Sequence, residues 1–226
     1  MKFAGAGRAD PKRRAQLTRE QVAAAAISLA DRDGIESISM RKLAQELGVE
    51  AMSLYTHVRN KEDLLDAMVD AVIGMIPVET VTGATDWSDS LRRMALDARG
   101  VMLQHPWAPL IIETRAAPGP AGLAYVNVVL GILREGGFTV GQAHHVLHIL
   151  GSRVLGFDQG VFDDSPPSSP EAGPSLPDEF AVAFPYAAEM AVAVTHGGAL
   201  GPCDDDVEFA FALDFILDGL RRLIRA

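Results

Sequence analysis

Between Gly48 and Leu65 the chain reads GVEAMSLYTHVRNKEDLL, and the side chains there that could do chemistry are Tyr55, His57 and Lys61. A phenol, an imidazole and an ammonium group share one capacity: each can donate a hydrogen bond to an anionic oxygen such as that of a phosphodiester. Arg41, just upstream, carries the fork of donors that fits the O6 and N7 edge of guanine. Ala51, Met52 and Ser53 are small or apolar, suited to a thymine methyl and to a hydroxyl that discriminates poorly between bases. Direct base reading is therefore expected to rest on Arg41, with Tyr55, His57 and Lys61 positioning the backbone.

A second group of polar residues lies further on. His144, His145 and His148 form an HHVLH run in which His144 and His148, four apart, share a helix face. Such a pair could ligate a metal, but no glutamate follows in the HExxH manner and no carboxylate is spaced as a second shell. The expected role is polar lining of a ligand pocket or a hydrogen-bonded helix interface, with no metal and no cofactor. Cys203 is the one cysteine, which excludes an intramolecular disulfide and a cysteine-rich zinc site.

These residues need elements to hold them, and helical periodicity dominates the sequence. Thr18 with Gln21 reads as a capping box opening a helix that Gly34 ends; Ser39 caps a second that ends at Gly48. Glu50 to Thr56 makes about two turns of a third, and Asn60 with Asp63 reads as another capping box, opening a fourth that runs to about Ile76. A short helix, a glycine turn and a second short helix form a helix-turn-helix, and a seven-residue helix about 10 Å long fits the roughly 12 Å major groove. The capped N-termini at Thr18 and Ser39 present free N–H groups and a positive dipole end to phosphate. Further helices are predicted over Trp87–Gln104, Ala121–Glu135, Val140–Asp158, Glu179–His196 and Asp205–Ile224, forming a bundle. The segment Asp163–Pro177 is too rich in Pro, Ser and Gly for regular structure and reads as a long loop, either a connector or a lid. The last helix is apolar on more than one face, which suggests packing across a two-fold axis onto another subunit.

The formal net charge of -10 argues against nucleic-acid binding until it is divided along the chain. Residues 1–61 carry 11 Lys and Arg against 7 Asp and Glu, whereas residues 62–226 carry 9 against 23. A basic head on an acidic body concentrates attraction for DNA in the head. With no run of eighteen apolar residues and no apolar stretch near the start, neither a membrane span nor a secretory signal is readable, and a cytoplasmic location is expected.

The string IESISMRKLAQELGVEAMSLYTHVRNKEDLLDAM, Ile35 to Met68, resembles the DNA-binding domain of the TetR family of transcriptional repressors, in its tetracycline-repressor-like branch. The strong likeness covers Leu17 to about Val72; weaker echoes such as Glu113–Arg115 and Gly136–Thr139 follow in the family's order. The resemblance implies an all-α fold with a basic, disordered arm (1–16), a helix-turn-helix domain (17–62) and an effector-binding and dimerisation domain (63–226). It also implies a homodimer on a palindromic double-stranded operator, released by a small molecule. The expected DNA contacts are Thr18, Ser39, Met40, Arg41, Ala51, Met52, Ser53, Tyr55, Thr56, His57 and Lys61. The expected effector contacts are His105, Trp107, Thr114, Arg115, Tyr125, His144, His148 and Phe157. Ala51-Met52-Ser53 stands where tetracycline repressors carry Gln-Pro-Thr, so the operator should differ. Pro77 and Ile111 fall where those repressors place histidines, which argues against a metal–tetracycline chelate as effector. Catalysis by the histidine cluster and a head used for protein contacts are the alternatives; no nucleophile motif or phosphate-cradling loop supports the first.

Overall fold

A computed structural model describes residues 17–78, 86–156, 182–186, 188–189 and 205–225. Among them all regular structure is helical: α1 (Arg19–Asp33), α2 (Met40–Leu47), α3 (Ala51–Leu54), α4 (Lys61–Ile73), α5 (Trp87–Gln104), α6 (Ala108–Glu113), α7 (Pro120–Glu135), α8 (Val140–Leu155) and α9 (Asp205–Arg225). A 3-10 turn, Ile35–Ser37, joins α1 to α2. The chain forms two compact units, residues 1–76 with 101–125 and residues 77–100 with 126–226, so the boundary falls inside α5 and α7.

The first unit is built on capped short helices. Thr18 and Gln21 close the reciprocal capping box of α1, and Gly34 ends that helix at φ 81°. Val22, Ala26 and Leu29 of α1 meet Leu43, Leu54, Leu64, Met68 and Val72 in a core from which water is excluded. These side chains recur every three or four residues, so one stripe of each helix is removed from water while charges occupy the other. α1 packs on both α2 and α4, and α4 on α6.

In the second unit Trp87 and Phe138 pack edge to face, ring centroids 4.9 Å apart at 84°. Gly136 passes so close to that indole that an added Cβ would lie 2.7 Å from Trp87 Cγ. Phe209, 2% exposed, is flanked by the guanidinium groups of Arg99 and Arg153, at 4.5 and 4.9 Å from its ring centre. Arg99 is also paired with Asp206, and Arg92 with Asp214. α9 buries Phe209, Leu213, Leu217 and Leu220, and leaves Val207, Phe211 and Phe215 on an exposed stripe.

Several expectations are corrected. α3 is one α-turn, Ala51–Leu54, not the seven residues from Glu50 to Thr56. Beyond Leu54 the bonds tighten to three-residue spacing, Thr56 N–H to Ser53 O and His57 N–H to Leu54 O. The Ser53 hydroxyl donates to Glu50 O and the Thr56 hydroxyl to Ser53 O, each at 2.6 Å, so side chains compete for helix carbonyls. α4 ends at Ile73, followed by a turn through Ile76. At its start, Asn60 accepts from Asp63 N–H, but Asp63 turns its carboxylate elsewhere, so only half of the expected capping box forms. α6, absent from the sequence reading, is present. The loop Asp163–Pro177 and more than half of the predicted helix Glu179–His196 lie outside the described residues, as does Phe157.

Candidate DNA interface

The site begins at Ser39, whose hydroxyl accepts the N–H of Lys42 at 3.2 Å and starts α2. Arg41 stands exposed in its first turn, with Met40 half-buried beside it. α2 is pinned to the end of α1 through a chain of charges: Lys42 Nζ lies 2.8 Å from Asp33, and Arg32 bridges Asp33 and Glu46. Those cations, Lys42 first and Arg32 second, hold the Asp33 carboxyl below its ordinary range. Gly48 then turns the chain in the left-handed region, φ 64° and ψ 33°. Val49 N–H reaches back to Ala44 O and Gly48 N–H to Gln45 O, closing the orphan carbonyls of α2.

Leu54 is the anchor of α3, wholly buried, while Met52 is 73% exposed and Tyr55 45%. Ala51 and Ser53 are half-buried, Thr56 and Lys61 exposed, and His57 half-buried. The apolar and hydroxyl side chains of residues 51–53 thus sit on a one-turn helix, followed at once by Tyr55, Thr56, His57 and Lys61 in the turn that enters α4.

That turn is held by Asp63, which the sequence reading placed only in a capping box. Asp63, nearly buried, accepts both Arg19 Nη2 at 2.7 Å and Arg19 Nη1 at 3.1 Å, and the Arg59 backbone N–H at 2.7 Å. Arg19 Nη1 also donates to the carbonyl of His57 at 2.9 Å, so α1 grips the turn at two points. Arg19 foremost, then the Arg59 N–H, holds the Asp63 carboxyl far below the usual carboxylate range despite its burial. In the same turn the Arg59 side chain is 85% exposed between His57 and Lys61. Its charge and position were in plain view in the sequence; the separation of 44 residues between Arg19 and Asp63 was not readable.

The residues expected to meet an effector are placed in two separate units. In the first, His105 Nδ1 lies 2.9 Å from Asp31 Oδ1, and Trp107 Nε1 donates to the same oxygen at 2.7 Å. Arg115 pairs with Glu62 at 2.8 Å and Asp66 at 3.2 Å, and Thr114 donates to Ile111 O. Tyr125 is half-buried. Asp70 accepts the N–H groups of Ala121 and Gly122 at the start of α7, at 2.8 and 3.3 Å. Residues 105–122 are therefore tied by carboxylates to α1 and α4, none of them anticipated. In the second unit His144 and His148 are exposed on α8 with ring centroids 4.6 Å apart.

A capped helix, a left-handed glycine turn, and a second helix that shows side chains instead of burying them define a helix-turn-helix DNA-binding regulator. Residues 22–68 match the bacterial regulatory proteins of the tetR family, and residues 80–224 the tetracyclin repressor-like C-terminal domain. The chain belongs to the TetR family of transcriptional regulators, not to a family of enzymes. It is 41% identical over 122 residues to an HTH-type transcriptional regulator of Saccharopolyspora erythraea, a match over 54% of this chain that spans about half (51%) of that relative. It is 30% identical over 215 residues to the HTH-type transcriptional repressor DrrR1 of Streptomyces coeruleorubidus, covering 92% of this chain and 78% of the relative. The crystal structure of the TetR family protein ActR of Streptomyces coelicolor in complex with actinorhodin is similar at a TM-score of 0.71 and 26% identity, over 93% of this chain and 99% of that one. No helix among the described residues is long and apolar enough to cross a membrane.

Proposed function

We propose that the protein is a cytoplasmic, homodimeric repressor that binds a palindromic operator through its helix-turn-helix and leaves it when a small molecule binds the body. The observation that carries the reading is the exposed row formed by Arg41, Met52, Tyr55 and Lys61 around the Gly48 turn, with Leu43 and Leu54 buried beneath it. Arg41 reads guanine; Met52, with Ala51 and Ser53, meets base edges. Tyr55, Thr56, His57 and Lys61 hold phosphate, joined by Arg59, and Thr18, Ser39 and Met40 flank the groove. The DNA-binding domain is residues 17–62, preceded by the basic arm 1–16 and followed by the effector and dimerisation domain 63–226.

The exposed stripe Val207, Phe211, Phe215 of α9 supports dimerisation, since an apolar row on a helix already buried on its other side is costly in water. Two heads then meet half-sites about 34 to 36 Å apart. The ties from Asp31, Glu62, Asp66 and Asp70 to residues 105–122 give the effector a lever on α1 and α4. A coupling of about 1 to 3 kcal/mol through them releases DNA fivefold to hundredfold. The small molecule complexed with ActR supports a ligand-responsive reading, with His105, Trp107, Thr114, Arg115, Tyr125, His144, His148 and Phe157 as candidate contacts. Selection of bound duplexes from a random pool by the purified protein tests this: inverted repeats with half-sites one helical turn apart are expected, and recovery of unrelated sequences would overturn it.

A further inference from the structure

Most arginines of the second unit hold an anion or a carbonyl. Arg92 pairs with Asp214 and Arg99 with Asp206, Arg134 donates to the Phe138 carbonyl, and Arg221 and Arg222 both reach Asp218. Arg153, near the end of α8, is different. Among the described residues it makes no hydrogen bond and no ion pair, although it is half-buried and its Nε is closed off from solvent. Its guanidinium lies over the ring of Phe209, Cζ 4.9 Å from the centroid, on a side chain that is itself 2% exposed. A ring face attracts a cation but replaces only part of what an anionic oxygen would give it. Native proteins leave few buried donors unpaired, and each one calls for an explanation.

We propose that Arg153 is the anion-reading group of a ligand site in this unit, and that the small molecule it takes carries a carboxylate. The guanidinium is laid on Phe209, which fixes its direction before any ligand arrives; its Nη groups, unlike Nε, are not enclosed and have no acceptor. The Arg99 guanidinium, 4.5 Å from the same ring, is engaged by Asp206, so the open fork is that of Arg153. Two parallel N–H bonds to one carboxylate are the pairing such a fork suits. A phosphate ester would present similar oxygens but carries about 1.5 to 2 negative charges. Residues 62–226 hold 23 acidic against 9 basic side chains, a field that disfavours the more highly charged anion. The proposal names the chemical class of the effector, and it rests on the ligand-responsive reading above for release of DNA but not for the binding itself.

The test follows thermal unfolding of the full chain with sodium benzoate and with benzamide, a neutral twin of the same shape. Benzoate is expected to raise the unfolding midpoint of the native protein as its concentration rises, and benzamide to leave it in place. Arg153→Met keeps the length of the stem and sets a thioether against Phe209, so without ligand it should melt no lower than the native chain. The same variant should bind benzoate at least about tenfold more weakly, the loss expected for charge-assisted bonds. Arg153→Lys, which keeps the charge without the fork, should fall between the two. Arg222→Met, at an exposed arginine of α9, should respond to benzoate as the native chain does. The proposal is overturned by a benzoate response equal in native and Arg153→Met proteins, by none in the native protein, or by an Arg153→Met midpoint well below the native one. A response that depends on Arg153 while selected duplexes stay bound would keep the site and refute the release mechanism instead.

Discussion

Replacing Asp63 by asparagine is the most revealing perturbation of the DNA-binding head. The change keeps an oxygen to accept the Arg59 N–H, and removes the charge that receives two Arg19 bonds at 2.7 and 3.1 Å. Each charge-assisted bond is worth about 1.5 to 3 kcal/mol. Breaking a fully buried pair costs about 3 to 5 kcal/mol. The Arg19 side chain is 40% exposed and recovers part of its hydration, so the net loss should be smaller, about 2 kcal/mol at neutral pH. The sign with pH follows from the depressed carboxyl of Asp63. Its contribution is complete above the unfolded-state value of about 3.9 and is lost as pH falls below that toward the folded value. Urea unfolding of both proteins should therefore show a gap that is flat from pH 8 to 5 and narrows under more acid conditions. Because Arg19 also holds the His57 carbonyl, the variant should lose affinity for operator and scrambled DNA alike. Equal stability at pH 7, or a gap that closes between pH 7 and 5, would refute the reasoning.

Other variants separate reading from holding. Arg41→Ala should relax base preference at one operator position, by about 1 to 3 kcal/mol against the wrong base, as measured by competition between operator variants. Lys61→Ala should weaken all sequences together and flatten the dependence of log affinity on log salt by about one unit. Gly48→Ala meets no atom within 4 Å, so its cost is conformational alone, about 1 to 2 kcal/mol for a side chain at φ 64°, seen as a lower unfolding midpoint. Gly136→Ala drives a methyl into the Trp87 ring and should cost about 1 to 3 kcal/mol, accompanied by a change in tryptophan emission.

What could be read in the sequence was what is local. α5 runs over the predicted Trp87–Gln104, and the capping box at Thr18, the Ser39 cap and the Gly48 turn all stand where residue type placed them. α6 went unseen because six residues following a proline carry too little periodicity to register, and α3 was read too long because hydroxyl competition leaves no trace in an apolar pattern. The ties made by the carboxylates at 31, 63, 66 and 70 were invisible for another reason. Each acts on groups 44 to 76 residues away or on a backbone N–H, and a lone aspartate on a helix looks like a solvated charge. The residues proposed to contact DNA could therefore be picked out from the chain alone, whereas the groups that hold their turn in place could not.

A helix of one turn cannot nucleate itself in water, so α3 borrows its shape from Leu54 beneath it and from the helices on either side. Its outward residues, Ala51, Met52 and Ser53, leave none of their number in the core. Under the base contacts proposed for them, drift or engineering at these three positions would retarget the protein to a new DNA address with little cost in foldedness.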